Sequence, residues 1–524
     1  MRAFHPISAT FLALTLCLAS AHAADPLKVT TDKGTVEGAL TTDSKVLAFK
    51  GIPYAAPPVG DLRWAPPQAA APWHGTLDAK SFGHHCVQFD TNADMVFLDP
   101  GPSEDCLNLN VWTPAHAKPG SLPVMVWIYG GGFTAGATSE PRQDGQFLAH
   151  RNVVVVSMNY RLGMLGFLAH PELTAASPHH ASGNYGLMDQ AAAIAWVRRN
   201  IRAFGGDPAN ITIFGESAGS FSVSAQMASP LTKDLIAKAI GESGAAFYSS
   251  SIPFNSLKDR EAHDSELTQK ALNTTSLVAL RKIPAETLAK TQAFRDSRSF
   301  PPDIDGYFLP DTLANLYAAG LEAHIPLLAG WNADEIRGSV TFGKTKMTAE
   351  TWNIIAHKVA KDNADAFLKQ YPGATDAEAL QSAGDYASDK FIVYTTWRWV
   401  NAHAATANAP TYCYRLDLAA PADKFHPLGS GAFHSDDIEY VFGTLDSRQQ
   451  ATWRPEDRAL SDQIQQYWTN FARTGDPNGP GLPAWPIYKP TDWQLMHLDN
   501  PSAAQPDTQR ARYLFLNELW SQPK

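Results

Sequence analysis

The sequence is short of cysteine, of charged residues and of basic residues in particular. Its 524 residues include four cysteines, and 18% are charged, with a formal net charge of −10. A chain without a basic excess has no surface suited to phosphate backbones, which argues against nucleic acid as a partner. Apolar residues make up 44% of the chain, as in an ordinary globular protein with a large core.

Long hydrophobic runs are also missing after the first residues. No later segment reaches about 18 consecutive apolar residues, so we expect no stable membrane insertion. The N-terminus itself has the pattern of an export signal, with Arg2, an apolar stretch over residues 7–18 and the small-residue site Ala21-His22-Ala23. We predict a signal peptide over residues 1–23, export to the periplasm or outside the cell, and a single domain over residues 24–524.

The few cysteines are placed informatively. Cys17 lies within the predicted signal, whereas Cys86 and Cys106 bracket a loop rich in Asp, Asn, Pro and Gly. An exported chain favours a disulfide between these two. Cys413 lies in an alternating, strand-like run, and we expect it to be a buried free thiol.

Several short apolar runs alternate with helix-like segments. The runs cover residues 122–128, 152–158, 211–214, 325–330 and 411–416, and the clearest helical periodicity lies over residues 186–204. This alternation predicts the α/β class, with a mostly parallel sheet covered by helices on both faces. Residues 249–310 look like an insertion of helices and loops that forms a cap.

One short segment points to chemistry. Gly215-Glu216-Ser217-Ala218-Gly219 follows the strand-like run 211–214 and precedes a stretch rich in small residues. A G-x-S-x-G segment between a strand and a helix is typical of a nucleophile elbow, in which a sharp turn exposes the serine hydroxyl. The pattern alone is common by chance, so the interpretation depends on this context. It makes Ser217 a candidate nucleophile.

A serine nucleophile also needs hydrogen-bond donors for the oxyanion. The strand-like run 122–128 leads into three glycines, of which Gly131 and Gly132 can direct their N–H groups toward a ligand, together with that of Ala218. A phosphate-binding loop is the alternative for such glycines, but the Lys-Ser/Thr of a Walker motif does not follow them.

With these residues in place, the chain resembles the type-B carboxylesterase family, the branch of the α/β-hydrolases that includes cholinesterases and some lipases. The resemblance runs from about residue 28 to residue 519, and its ordered markers are the segments 49–55, 62–64, 103–110, 130–133, 159–161 and 215–219. It implies the α/β-hydrolase fold with insertions over the active site. It also implies a base at His434, in the segment 431–434, and an acid at Glu335, in the segment 332–335.

The order Ser217, Glu335, His434 matches the order of the triad in α/β-hydrolases. Asp334 is adjacent to Glu335 and remains an alternative acid, and Ile336 departs from the glycine that the family usually has there. Such a triad works with no metal and no cofactor. The histidine pairs 84–85 and 179–180 lack a convergent set of further ligands, so we expect no metal site.

The resemblance implies hydrolysis of carboxylic esters. Because activity should rise as His434 becomes neutral, we expect an optimum at neutral to mildly alkaline pH. Short or medium acyl esters and aryl esters are open, whereas choline esters are disfavoured because no tryptophan lies between Cys86 and Cys106. Lipase or amidase activity is the nearer alternative. A non-catalytic, neuroligin-like binding module is disfavoured because all three triad positions carry competent side chains. Oligomeric state is left open by the sequence.

Two smaller expectations concern the scaffold. Arg63 with Glu104, and Arg161 with Asp189, resemble structural ion pairs of the family. The aromatic side chains Phe133 and Trp331 flank the glycine loop and the acid segment, where they either line the pocket or fill the core.

Overall fold

The computed structural model describes Met1 and residues 25–89, 95–247, 252–296, 298–337, 341–423 and 431–521. The predicted signal peptide, apart from Met1, lies outside the described residues, as does Cys17. Export and the extent of the mature domain therefore stay predictions.

The strands of the described residues are short and mostly buried. In chain order they are β1 (Lys28–Thr30), β2 (Thr35–Glu37), β3 (Ala39–Leu40), β4 (Val46–Pro53), β5 (Thr76–Asp78), β6 (His85–Cys86), β7 (Pro102–Ser103), β8 (Asn108–Pro114), β9 (Leu122–Ile128), β10 (Val154–Met158), β11 (Gly206–Glu216), β12 (Lys238–Glu242), β13 (Asn255–Ser256), β14 (Asp303–Ile304), β15 (Leu327–Asn332), β16 (Thr411–Leu416), β17 (Gln494–Leu498) and β18 (Ala503–Pro506).

Within the described residues, eleven strands form the main sheet, in the order β18-β17-β16-β15-β12-β11-β9-β10-β8-β4-β3. The strands from β17 to β10 in this order pair in parallel, and the pairings toward both edges are antiparallel. The central strands β9 and β10 are apolar almost throughout because both faces of the sheet are buried. The predicted α/β class with a mostly parallel sheet is confirmed.

Helices cover both faces of the sheet and connect its strands. They are α1 (Gln146–Ala149), α2 (Gly163–Phe167), α3 (Pro171–Ala176), α4 (Tyr185–Asn200), α5 (Ala218–Ala228), α6 (Leu257–Leu272), α7 (Leu277–Lys282), α8 (Ala285–Lys290), α9 (Leu313–Ala318), α10 (Ala349–Ala360), α11 (Ala364–Gln370), α12 (Asp376–Ser388), α13 (Tyr394–Thr406), α14 (Ile438–Phe442), α15 (Pro455–Thr474) and α16 (Arg510–Ser521). A π-helix, Asp389–Val393, joins α12 to α13.

The helix predicted over residues 186–204 is α4 followed by a 3₁₀ turn, Ile201–Phe204. The turn ends at Gly205, whose φ of 93° lies in the left-handed region where glycine is favoured. The periodic apolar residues of α4 face the sheet and are buried. Sequence periodicity therefore located this helix to within one residue at its start.

Cys86 and Cys106 form a disulfide, and Cys413 is a buried free cysteine. The strands β6 and β7 pair beside the bridge, so the base of the loop is held by both hydrogen bonds and the covalent bond. None of the helices in the described part of the chain is both long and apolar enough to cross a membrane.

Candidate active site

Ser217 lies at the turn between β11 and α5, near the middle of the main sheet. Its φ of 55° and ψ of −123° are sterically unfavourable for a residue with a side chain. Its N–H donates to the carbonyl of Glu242 at the end of the neighbouring strand, at 2.9 Å. The sheet thus fixes the strained residue from the side.

The glycines of the turn are required by the closeness of the next strand. A Cβ atom on Gly219 would lie 2.0 Å from the carbonyl oxygen of Ile128, and one on Gly215 would lie 2.6 Å from the same oxygen. Both contacts are far inside van der Waals distance, so the backbone leaves room for hydrogen alone. This explains the G-x-S-x-G spacing physically.

The predicted base and acid come together with Ser217. His434 Nε2 lies 2.8 Å from Ser217 Oγ, and His434 Nδ1 lies 2.7 Å from Oε2 of Glu335. A carboxylate can only accept, so Nδ1 carries a proton, and in the neutral imidazole Nε2 is then free to accept from the hydroxyl. A continuous chain of hydrogen bonds therefore joins residues that are 217 and 99 positions apart.

Glu335, rather than Asp334, faces the imidazole. The Asp334 side chain lies beneath Gly431, where an added Cβ would be 2.6 Å from the Cβ of Asp334. The unusual Ile336 is held by its backbone, whose N–H donates to Ser388 Oγ at 3.1 Å and whose carbonyl accepts from it at 3.0 Å.

Two donors fix the other oxygen of Glu335. The hydroxyl of Ser243 lies 2.6 Å from Oε1, and the N–H of Asn332 lies 2.7 Å from it. Glu335 is 2% exposed, so both carboxylate oxygens are satisfied by protein groups and not by water. The sequence reasoning did not identify Ser243, which no motif marked.

Glu216 is a second functional neighbour that the sequence reasoning missed. Its Oε1 lies 3.3 Å from His434 Nε2 and accepts from the Ser435 hydroxyl at 3.0 Å. It occupies the variable position of the G-x-S-x-G segment, and that adjacency to Ser217 was the available signal. Burial raises the pKa of Glu216, and the positive charge of the His434 imidazolium offsets part of this rise.

The protonation of His434 reflects opposing influences. Burial lowers the pKa of the imidazole, but the negative charge at Glu216 and the hydrogen bond with Glu335 outweigh it and raise the pKa to about 9. The His434 imidazolium therefore keeps its second ring proton to a higher pH than an ordinary histidine does.

The glycine loop borders the same site. Gly131 has a φ of 102° and Gly132 a φ of 65°, and the Gly131 carbonyl accepts from the N–H groups of Thr134 and Ala135. A Cβ on Gly131 would lie 2.3 Å from the Ala135 carbonyl oxygen. Across the described ranges, the amide nitrogens of Gly131 and Gly132 have no acceptor in the protein.

These groups open into a cavity of about 330 Å³. Its walls come from several segments of the chain: Met95, Gly130, Gly131, Gly132, Thr134, Glu140, Arg142, Gln143, Glu216, Ser217, Phe221, Ile252, Arg295, Phe391, Ile392, His434, Ser435 and Ile438. The predicted insertion over residues 249–310 contributes Ile252 and Arg295. The π-helix contributes Phe391, whose ring meets the His434 ring edge to face at 4.9 Å between centroids.

The two expected ion pairs are present, and their residues do not line this cavity. Arg63 pairs with Glu104, and the buried Arg161 pairs with the buried Asp189 through two side-chain hydrogen bonds of 2.7 Å. Phe133 is buried and packs against the rings of Phe167 and Phe254.

Trp331 is likewise a core residue, because it is 2% exposed and packs against Tyr513. The histidine pairs have ordinary partners: His85 pairs with Asp99, and His179 stacks on Tyr307. Among the described residues, no three His, Cys, Asp or Glu side chains converge as a metal ion would require.

In a mostly parallel sheet, a strand that leads into a strained serine and then directly into a helix is typical of a serine hydrolase with the α/β-hydrolase fold. Sequence comparison takes the assignment further. Residues 25–516 match the profile of the carboxylesterase family. The chain therefore belongs to the carboxylesterase family and is a carboxylic ester hydrolase that acts on small-molecule esters.

Individual relatives are similar over nearly their whole length. The chain is 36% identical to a fumonisin B1 esterase of Sphingopyxis macrogoltabida over 468 residues, which cover 88% of this chain and 84% of the relative. It is 36% identical to the para-nitrobenzyl esterase of Bacillus subtilis over 507 residues, covering 93% and 98%. It is 37% identical to the bile salt-activated lipase of Mus musculus over 531 residues, covering 94% and 85%.

Proposed function

We propose that this chain is an exported serine esterase that hydrolyses short- or medium-acyl esters or aryl esters through Ser217, His434 and Glu335. The observation that carries the proposal is the unbroken hydrogen-bond chain from Glu335 through His434 to Ser217 Oγ. The strained backbone of Ser217 and the N–H groups of Gly131 and Gly132, which lack an acceptor among the described residues, also support a role in ester hydrolysis.

In the first half of the reaction, His434 Nε2 accepts the proton of Ser217 as Oγ attacks the ester carbonyl carbon. Glu335 holds the ring with Nδ1 toward the carboxylate and stabilises the imidazolium that forms. The imidazolium then gives its proton to the leaving alcohol. A covalent acyl-enzyme remains on Ser217.

The negative charge of each tetrahedral intermediate falls on the former carbonyl oxygen. We assign the oxyanion donors as the N–H groups of Gly131, Gly132 and Ala218. Support comes from the acceptor-free amides of the two glycines and from the position of Ala218 as the first residue of α5, where N–H groups have no helical partner. One such donor typically contributes about 3 kcal/mol to the transition state.

In the second half, water enters, gives a proton to His434 and attacks the acyl carbonyl. The same donors hold the second oxyanion, and collapse returns the proton to Ser217 Oγ. The steps need no redox change and no further reactant besides water.

The size of the cavity favours small esters. A volume of about 330 Å³ lies at the lower end of the range for small-molecule sites, which suits a short or medium acyl chain or one aromatic ring. A long-chain lipid would need a longer apolar groove. We therefore propose short-acyl and aryl esters as better substrates than triglycerides of long fatty acids.

Export is proposed from the N-terminal pattern and is supported by the disulfide, a bond that persists mainly in oxidising compartments. Expression of the full chain with N-terminal sequencing of the mature protein tests this. Cleavage after Ala23 is the expected result. A mature protein that keeps residues 1–23 and stays with the cytosolic fraction would contradict export.

The activity is tested with the 4-nitrophenyl esters of acetate, butyrate, octanoate and palmitate. We expect the highest kcat/KM for acetate or butyrate and a loss of about 10⁴-fold or more in kcat for Ser217→Ala. Glu335→Ala and Asp334→Ala form a matched pair of adjacent carboxylate deletions. A larger loss at Asp334 would overturn the acid assignment, and equal rates for wild type and Ser217→Ala would overturn the nucleophile.

A further inference from the structure

Arg295 occupies an unusual position in the cavity wall. It follows the 3₁₀ turn Gln292–Phe294, its side chain is exposed, and it lines the same cavity as Ser217. Its guanidinium carbon lies 3.1 Å from the centre of the half-buried Phe89 ring. The cation thus lies over an aromatic ring that belongs to the disulfide-bridged loop.

Among the described residues, the carboxylate next to Arg295 in the chain is engaged elsewhere. The adjacent Asp296 is held by Arg298, through hydrogen bonds of 2.9 Å to Oδ1 and 2.5 Å to Oδ2. Within the part of the chain that the structure describes, Arg295 has no carboxylate partner of its own.

The two carboxyl groups that line the cavity do not change this. Glu140 pairs with Arg142, at 2.5 Å between Oε2 and Nε. Glu216 accepts from Ser435 and lies beside His434. Arg295 is therefore the cation of the described cavity wall that pairs with no carboxylate of the described residues.

The chemistry of guanidinium indicates what this position can recognise. The group is always charged, and its N–H bonds lie in its plane, where they match the two oxygens of a carboxylate. The contact with the Phe89 ring uses no N–H acceptor, so the N–H groups of Arg295 can still bind a carboxylate.

Building on the proposed esterase function, we propose that Arg295 is a specificity-determining residue that selects esters bearing a carboxylate near the scissile bond. The substrate class comprises two kinds of ester. In half-esters of dicarboxylic acids the free carboxylate is in the acyl part. In esters formed at the hydroxyl group of hydroxybenzoic acids it is in the leaving group. Hydrolysis adds water across the ester bond, and the recognised carboxylate takes no part in bond making.

The test compares anionic esters with neutral ones of nearly the same shape. For the acyl side, the mono-4-nitrophenyl ester of glutaric acid is paired with its methyl ester, and non-enzymatic hydrolysis is subtracted. For the leaving-group side, 4-acetoxybenzoate is paired with its methyl ester. The measured quantity is the ratio of kcat/KM for the anionic ester to kcat/KM for the neutral ester.

For at least one pair, Arg295→Gln should lower this ratio about tenfold, and Arg295→Glu should lower it further. The wild-type ratio should also fall with added salt, because the side chain is exposed to solvent. The pair that responds identifies the side of the scissile bond on which the carboxylate binds. Lys290→Gln is the matched control: it removes an exposed cation at the end of α8 that lies outside the cavity wall, and its ratio should equal that of wild type.

Unchanged ratios for both pairs in both Arg295 variants would overturn this inference while leaving the esterase proposal intact. A wild-type enzyme that hydrolyses neither neutral nor anionic esters above the Ser217→Ala background would instead overturn the esterase proposal. The two failures are therefore distinguishable in one set of assays.

Discussion

The hydroxyl of Ser243 donates to Oε1 of Glu335 at 2.6 Å, on the carboxylate oxygen that does not face His434. The N–H of Ser243 in turn donates to the carbonyl of Gly330 at 2.9 Å, which ties the serine to β15. The orientation of the acid is thus set by the end of the sheet and not by the loop that carries it.

Replacing Ser243 with Ala should therefore lower activity without removing a reacting group. A hydrogen bond to a charged group contributes about 1.5 kcal/mol, which corresponds to a loss of about tenfold in kcat/KM. The measurement is kcat/KM with 4-nitrophenyl butyrate. The control is Ser382→Ala on α12, which deletes a hydroxyl that donates to the Pro372 carbonyl. Similar losses of activity in both variants would argue against a role for Ser243.

The pH profile should depend on Glu216. Catalysis requires a neutral imidazole, so activity falls as the pH drops through the pKa of His434, which is raised to about 9. The rising limb of kcat/KM should accordingly lie well above the ordinary histidine pKa. Glu216→Gln removes negative charge 3.3 Å from Nε2, stabilises the imidazolium less, and should move the limb to lower pH by about one pH unit.

The check is kcat/KM for both proteins across about pH 5 to 10. Glu286→Gln, which neutralises an exposed carboxylate on α8, should leave the limb where it is in wild type. A limb that stays in place or moves upward in Glu216→Gln would contradict the electrostatic explanation.

Gly131→Ala should lower kcat/KM by about 100-fold or more, because the new Cβ would collide with the Ala135 carbonyl and displace the oxyanion donors. The control is Gly101→Ala, at a glycine with nearly the same φ, 105° against 102°, but with open space around it. Both variants carry the backbone cost of a side chain at positive φ. Only the Gly131 variant should lose activity, and equal activities would show that the loop geometry does not matter to catalysis.

The double variant Cys86→Ser/Cys106→Ser should be less stable by about 3 kcal/mol, since the bridge closes a loop of 20 residues in the unfolded chain. Urea unfolding of wild type and variant measures the difference. Reductant should lower the stability of wild type but not of the variant, and Cys413→Ala should still respond to reductant because its buried thiol is outside the bridge. An unchanged unfolding midpoint in the double variant would contradict a stabilising role.

Much of the fold was predictable because its signals are local. A buried parallel strand is apolar on both faces, so the run that became β9 matched residues 122–128, and the run that became β16 matched residues 411–416. The β11 strand is longer than predicted, because Gly206 pairs with Leu122 and the polar residues between Gly206 and Ile211 form an irregularity that no apolar run marks.

The site was predictable where a motif or the family resemblance marked a residue, and not elsewhere. Ser243 and Arg295 have no sequence signature, because their places depend on how distant segments pack against the sheet. Phe133 and Trp331 show the converse: Phe133 lies within a marked segment and Trp331 is adjacent to one, yet packing directs their rings into the core. Which side of a segment faces a cavity is a tertiary property.

The strand order has a consequence for how such an enzyme can change. Ser217 directly follows β11 and Glu335 lies just after β15, whereas His434 lies in the segment between β16 and α14, so the proposed triad is supplied by segments that follow three strands of one sheet. Met95, Ile252 and Arg295, which shape the rest of the cavity, come from connecting segments. Exchange of these connecting segments should therefore change the substrate range while leaving the strands that precede Ser217, Glu335 and His434 intact.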